Sequence, residues 1–390
     1  MPSRRTLLQS SAATAGILIL KPQTVFGSQA NSTPELGLIG CGSRGGWISP
    51  LFVEHTGARF TALADALPDN LAKIEAKLKV DHSRCFLGFD AYKQVIQSKV
   101  DGVVIMIPPY YHPDIVAAAV AAGKHVYIAK PVAVDVPGCL SIEASGQKAR
   151  GRLSFLVDFQ WRVRAVYKES IERVRRGDIG TPVLAQTYYM SKPPGRRERP
   201  GMSPGEARLR NWYLDRPLAG DLMIDRDIHV IDAMNWYIGA RPLKANGTGG
   251  HKARPVGDCW DHFVVTYSYP NGVTAVFSSA DFINGYADMC VRLYGSAGTV
   301  DSHYNGALNI TGDHPWKGAE KDDTFTGGAI ENLKAWVASI RTGQYLNNVP
   351  VSVESNLTAI LGRTAAWAGH PVTWDQMLAH PEKLEAHLTL

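Results

Sequence analysis

After Pro34 the chain alternates short apolar runs with stretches of helical periodicity, the pattern of parallel β-α-β units. Residues 36–39 predict a first strand, followed by a helix to about Thr56 that Gly57 stops in the left-handed conformation. Further strands are predicted over 59–64 and 85–87, and a helix over 92–98. Residues 100–107 are apolar and β-branched enough for a central strand. That strand runs into Pro108-Pro109-Tyr110-Tyr111-His112, where proline, with no N–H to give a ladder, turns the chain out of the sheet. A helix over 113–122 closes at Gly123, residues 125–128 return as a strand, and 154–159 read as the last parallel strand.

Beyond Phe159 the alternation stops. Residues 183–190, 263–269, 273–277 and 291–294 are apolar and β-branched at strand lengths, and Tyr269-Pro270-Asn271-Gly272 supplies a hairpin turn. Ile224, Ile228, Ile231 and Ile238 follow helical spacing, with Gly239 and Pro242 as a stop. One helix is therefore expected to carry Asp225 and His229 on a single face, with Asp232 beyond them. The pattern predicts a Rossmann-type, doubly wound parallel α/β sheet over residues 33–158 and an α+β domain with a mainly antiparallel open sheet over 159–390. An open sheet face also suits a partner subunit, so a homo-oligomer is expected.

With 390 residues, 45% hydrophobic and 20% charged, the chain is long enough for two folded domains and too apolar for disorder. Much of its net charge of +5 falls in the first 30 residues, where Arg4, Arg5 and Lys21 stand without an acid, so nothing points to a nucleic-acid partner. Residues 1–30 read as a twin-arginine signal peptide. Arg4-Arg5 precede a weakly apolar stretch over 7–20, short of the ~20 residues that span a bilayer, and Ser28-Gln29-Ala30 offers a cleavage site. The expectation is a periplasmic or otherwise exported protein, handled by the twin-arginine machinery and without a stable membrane anchor. Five widely spaced cysteines with no C-x-x-C pair indicate free thiols and no metal site.

Candidate chemistry begins at Gly40-Cys41-Gly42-Ser43-Arg44-Gly45, directly after the first predicted strand. Gly40 permits a tight turn, Gly42 lets a pyrophosphate approach bare backbone, and Gly45 lets helix and strand pack closely. Ser43 and Arg44 open the helix on whose N-terminus phosphate sits. Asp65, twenty residues beyond Gly45, can accept hydrogen bonds from both adenosine ribose hydroxyls. Its charge repels a 2′-phosphate, and residues 66–69 bring no Arg or Lys, which favours NAD over NADP; Arg44 is the nearby cation that can serve NADP. Pro108 and His112 lie at the carboxyl edge where ligands bind in open α/β sheets and join the cofactor set. The cationic run from Lys192 through Arg208 and Arg210 reads as a lid, a subunit arm or a solvated loop, with Trp212 and Tyr213 as sugar-stacking candidates. Asp225 and His229 form either a structural salt bridge or a proton-handling pair suited to taking a hydroxyl proton as hydride leaves.

Gly40–Gly45, Tyr110–His112, Ala122-Gly123-Lys124-His125-Val126, Lys130-Pro131 and Asp225-x-x-x-His229-x-x-Asp232 come in an order that resembles the Gfo/Idh/MocA family of nicotinamide-dependent sugar and polyol oxidoreductases. The resemblance covers most of the chain after residue 33. It implies His229 as general base, Asp225 as a substrate-binding and orienting acid, and Lys130 reaching substrate and nicotinamide ribose and stabilising the developing alkoxide. Gln160-Trp161-Arg162 matches the family's crossing into the substrate domain, and Arg162 joins Trp212 and Tyr213 as substrate residues; Asp232 is expected to cap or pack. Two positions depart from the family. Ala129 replaces the glutamate of Glu-Lys-Pro and removes a carboxylate beside Lys130, and Asp227 replaces the glycine two residues before His229, which narrows the cleft or adds negative charge if it points there.

The expected activity is that of an NAD(P)-dependent oxidoreductase of a sugar, polyol or related alcohol, acting through tightly held NAD. Outside the cytoplasm, where no free NAD pool is evident, such a cofactor alternates between an oxidised and a reduced substrate. A second reading returns the hydride to the substrate after elimination, giving a redox-neutral glycoside hydrolase or lyase. A third, a non-enzymatic nucleotide-binding sensor, draws weak support from Ala129 and is opposed by Lys130 and His229.

Overall fold

Strands buried on both faces need near-continuous apolar runs, and the first half of the chain supplies them. In the computed structural model, which describes residues 33–192 and 195–390, six strands pair in parallel, the short edge strand alone having no fully buried residue. They are β1 (Glu35–Ile39), β2 (Arg59–Asp65), β3 (Cys85–Leu87), β4 (Gly102–Ile105), β5 (His125–Ala129) and β6 (Phe155–Asp158), in the order β3-β2-β1-β4-β5-β6. Each strand expected in this half is present. Helices α1 (Ser43–Thr56), α2 (Pro68–Leu78), α3 (Ala91–Gln97), α4 (His112–Ala121) and α5 (Val136–Ala149) lie between them in sequence. Gly57 ends α1 at φ 70°, as expected of a left-handed stop. The strand order reverses between β1 and β4, and the crevice at such a switch point is where α/β sheets bind ligands. The twin-arginine leader expected over residues 1–30 lies outside the described residues, and among the described residues no helix is long and apolar enough to cross a membrane.

The second sheet has nine strands, β7 (Pro182–Met190), β8 (Lys244–Gly250), β9 (His262–Ser268), β10 (Thr274–Ala280), β11 (Asp288–Gly295), β12 (Gly298–His303), β13 (Leu308–Gly312), β14 (Trp316–Ala319) and β15 (Val372–Thr373). Their order is β14-β13-β12-β11-β7-β10-β9-β8-β15, antiparallel except for the central β7–β10 pair. Glycine-rich β8 escapes a pattern search, yet glycine is what its pairing needs: a Cβ on Gly249 would overlap the His262 carbonyl oxygen. The remaining helices are α6 (Ala165–Arg175), α7 (Pro204–Arg210), α8 (Arg216–Ala219), α9 (Leu222–Asp225), α10 (Ile228–Ile238), α11 (Thr324–Thr342), α12 (Val349–Ala368) and α13 (Trp374–Ala379). Helices α10 and α12 pack on one face of the second sheet.

Two features correct the sequence picture. The helix expected across residues 224–238 is broken at Arg226–Asp227. The Asp227 N–H reaches back to the Leu222 carbonyl at 3.1 Å, one residue beyond α-helical register, and the Val230 N–H restarts on the Asp227 carbonyl at 3.1 Å. The first sheet, moreover, is not closed by its own helices alone. Leu333, Trp336 and Val337 of α11 are buried among Leu36, Phe52 and Tyr127. Gly102 makes room for them, since a Cβ there would lie 2.9 Å from the Trp336 ring.

Candidate active site

The nucleotide end of the site is made of backbone. Gly42 caps α1 without any side-chain hydrogen bond, so the first amides of the helix remain available for an anion. A Cβ on Gly42 would meet nothing nearer than Asn70 Nδ2 at 3.7 Å, so the loop faces open space there. Gly40 takes φ 96°, and a Cβ on Gly45 would overlap the Gly40 carbonyl oxygen. Asp65, at the end of β2, ties this loop down: its carboxylate accepts the Cys41 N–H at 2.6 Å and the Leu67 N–H at 2.7 Å. Burial raises its pKa against those bonds.

These groups open into a cavity of ≈ 820 Å³, within the ~300–1,000 Å³ usual for ligand pockets. Gly40, Gly42, Ser43, Arg44, Asp65, Pro108 and Lys130 line it from the parallel sheet. Gln160, Asp225 and His229 line it from the second half, and Arg197, Arg210, Trp212 and Tyr213 from the intervening arm. Lys130, at the end of β5, donates from Nζ to the Asp225 backbone carbonyl. Asp225 thus supplies the orientation that Ala129 withholds. Its carboxylate couples in charge to Lys130 and Arg226 rather than to His229, so the expected Asp225–His229 pair is replaced by an Asp225–Lys130 pair.

Burial lowers the Lys130 pKa and raises that of Asp225. His229, half-buried at the start of α10, rests with its ring 5.4 Å from that of Tyr304. Burial first, and then the positive charges of Lys130, Arg44 and Arg226, hold its pKa well below the usual 6.5. The imidazole is therefore neutral at pH 7 and able to accept a proton.

Other expected site residues have different duties. Arg44 lines the cavity but directs its guanidinium at buried Asp158, lying 4.4 Å over Trp47 and 5.4 Å from the Phe325 ring. Asp158 also accepts from Asn332 at 2.9 Å and Gln160 at 3.1 Å. Since β2 and β6 stand four strand spacings apart, about 19 Å at ~4.8 Å each, Arg44 is turned away from Asp65. His112 does not line the cavity. It is fully buried, with Nδ1 3.0 Å from the Pro131 carbonyl, and burial pushes its pKa down to about 4, so it braces the Lys130-Pro131 turn from behind. Arg162 does not line it either: its Nε meets both oxygens of buried Asp232 at 2.8 and 2.9 Å, and Asp232 also accepts from Ser355 at 2.7 Å. Asp227 is fully buried outside the cavity, beside Ser279, Arg226 and Asp281, where burial raises its pKa; it neither narrows the cleft nor charges it.

Sequence reasoning held a lid among three readings of the arm but did not find what the arm closes on. Arg210 pairs with Asp69 of α2 at 2.6 Å and with Glu206 at 2.8 Å, and Arg199 pairs with Glu206 at 2.9 Å. The run of arginines was the available signal, but its partner on α2 lies far back in the chain. Phe325 at the start of α11 and Leu388 in the C-terminal tail also reach the cavity, with no local signal.

Comparison with known proteins agrees with this layout. Residues 35–155 match the model of an oxidoreductase family with an NAD-binding Rossmann fold, and residues 167–301 match a GFO/IDH/MocA C-terminal domain. The chain is 34% identical over 158 residues to inositol 2-dehydrogenase 3 of Saccharopolyspora erythraea, a match covering 40% of this chain and 45% of that protein. It thus spans about half the length of the curated relatives it matches. Its fold is shared with the aldose-aldose oxidoreductase of Caulobacter crescentus in complex with glycerol (TM-score 0.72, 21% identity, 88% of this chain and 100% of that one). It is shared as well with the scyllo-inositol dehydrogenase of Lactobacillus casei with bound NAD(H) and scyllo-inositol (TM-score 0.69, 19% identity, 88% and 100%).

Proposed function

We propose that this chain, which belongs to the Gfo/Idh/MocA oxidoreductase family, oxidises an alcohol carbon of a sugar or polyol by hydride transfer to tightly held NAD. The observation that carries this reading is the convergence of Lys130, Asp225 and His229, from two halves of the chain, on the cavity that opens from the uncapped N-terminus of α1. The relatives named for inositol dehydrogenation make a cyclic polyol the first candidate substrate.

The residues present fit a dinucleotide. The free amides after Gly42 suit the pyrophosphate, and Asp65 suits the adenosine ribose hydroxyls. NAD fits better than NADP, because Asp65 repels a 2′-phosphate, Arg44 is committed to Asp158, and Arg210 is committed to Asp69 and Glu206. When bound, NAD supplies the hydride acceptor. His229, neutral for the reasons given, takes the hydroxyl proton on its imidazole as the C–H bond breaks. Lys130, steered by the Asp225 carbonyl, donates to the oxygen and stabilises the alkoxide character that develops there. Asp225 holds the ammonium in place and offers its carboxylate to a neighbouring hydroxyl. The arm clasped to α2 covers the cavity and favours retention of the dinucleotide.

The test is to denature purified protein, measure released NAD, and screen inositols, aldoses and glycosides for reduction of bound NAD at 340 nm. Release of NAD and reduction by at least one polyol or sugar support the proposal. No released NAD and no affinity for added dinucleotide refute it, and glycoside cleavage without net oxidation replaces it by the redox-neutral reaction. We further propose that the protein is exported through the twin-arginine pathway, which fractionation of cells carrying Arg4→Lys and Arg5→Lys checks by loss of the periplasmic form.

A further inference from the structure

Away from the cavity, β11 and β12 assemble a second group of reactive side chains. Val291, Leu293 and Val300 point into the core, so the alternating residues Asp288, Cys290, Asp301 and His303 share the opposite face of the sheet. Cys290 stands directly across the ladder from His303. Asp301 Oδ1 lies 3.2 Å from His303 Nε2 and 3.5 Å from Cys290 Sγ, and the three ligand atoms all fall within 4.8 Å of one another. Tetrahedral zinc with bonds of about 2.0–2.3 Å places nitrogen and sulfur about 3.3 and 3.6 Å from a shared carboxylate oxygen. The two distances from Asp301 are close to those edges.

The surroundings hold these atoms in place. His303 Nδ1 lies 2.9 Å from Asp288, which aims Nε2 at Cys290 and Asp301. Asp288 in turn accepts from the Tyr188 hydroxyl at 2.9 Å and the Tyr286 hydroxyl at 3.2 Å. Arg292 donates to Asp301 from Nε at 3.1 Å and from Nη2 at 3.0 Å, fixing the carboxylate plane. A carboxylate behind the far ring nitrogen is the outer-shell partner that metal-binding histidines use, and Arg292 holds both oxygens of the ligating carboxylate, Oδ1 through Nε and Oδ2 through Nη2.

We propose that Cys290, Asp301 and His303 bind one zinc-class divalent cation, leaving a fourth position for water. A thiolate with an imidazole selects such an ion over magnesium or calcium, which prefer oxygen donors. Bound there, the ion staples β11 to β12. The ligands lie eleven and two residues apart in sequence, and only the strand pairing brings them together, so the cysteine spacing that indicates no metal site overlooks them.

The test uses the purified full-length protein stripped with chelator and titrated with Zn²⁺ by calorimetry and with Co²⁺ by absorption spectroscopy. The expected result is one equivalent bound, with a thiolate-to-cobalt charge-transfer band in the wild type that is absent from Cys290→Ser. Asp288→Asn should weaken binding about 10–100-fold, as loss of an outer-shell partner does. Cys290→Ser is nearly isosteric; in the metal-free form both variants should melt like the wild type, and NAD affinity should not change because the site lies outside the nucleotide cavity. Failure of the wild type to bind one equivalent, or an unchanged cobalt spectrum and affinity in Cys290→Ser, overturns the proposal and leaves His303 as an ion-pair partner of two aspartates.

Discussion

The glycine-loop rim of the cavity is built from backbone, whereas the rim that carries Lys130, Asp225 and His229 is built from side chains delivered by distant parts of the chain. At the first rim, six consecutive residues supply the geometry: a turn, an uncapped helix end and two close approaches that only glycine allows, with Asp65 of β2 holding the loop. At the second, Lys130 is aimed by the carbonyl of Asp225, 95 residues later, and His229 is held neutral by burial first and then by the positive charges of Lys130, Arg44 and Arg226. The backbone rim should therefore fail all at once when a single atom is added. The side-chain rim should fail in graded steps, one interaction at a time.

The largest effect is expected at the first rim. Gly45→Ala places a methyl group on the Gly40 carbonyl and should cost about 3 kcal/mol or more of stability, with loss of NAD binding. Gly42→Ala, whose methyl group enters open space, should melt like the wild type and lose NAD affinity alone. Equal melting losses in both variants would break the comparison. Trp336→Ala tests the dependence of this rim on distant sequence: removing a fully buried indole should cost about 3–5 kcal/mol in denaturant unfolding.

At the second rim the pH profile is diagnostic. Burial, and after it the positive neighbours, disfavour the His229 imidazolium, so the acid limb of kcat/KM should have its midpoint below pH 6.5. Lys130→Met removes one of those charges, so residual activity should show the midpoint moved upward. A midpoint above 6.5 in the wild type would contradict the electrostatics described. The smallest effect is expected for Asp69→Asn, which releases the arm. These partly exposed ion pairs contribute at most about 1 kcal/mol to stability, but NAD should dissociate several-fold faster in stopped-flow measurements.

The same contrast explains what was legible. The tight turn at Gly40–Gly45 and the helix start after it could be read because their physics is local, and every strand of the parallel sheet announced itself as an apolar run. Lys130, Asp225 and His229 were legible as residue types through family resemblance, but their pairing was not: a continuous helix puts Asp225 beside His229, and the break at Arg226–Asp227 sends it to Lys130 instead. Arg162 was misread because its partner, Asp232, lies 70 residues away and turns a substrate-like cation into an internal tie. His112 was misread because a position at a sheet edge does not reveal which way the side chain points. The arm's pairing with Asp69 and the burial of Trp336 under the first sheet are tertiary contacts that no spacing rule encodes.

The central claim is that an imidazole held neutral in the cleft strips the proton from a substrate hydroxyl while NAD lies beside it. Single-turnover reduction of bound NAD by a substrate found in the polyol and sugar screen, followed at 340 nm in wild type and His229→Ala, tests it most directly. The account predicts unchanged NAD affinity and at least a hundredfold slower reduction in the variant, in line with the ~10²–10⁴ contributed by a general base. Reduction at the wild-type rate in His229→Ala would contradict it.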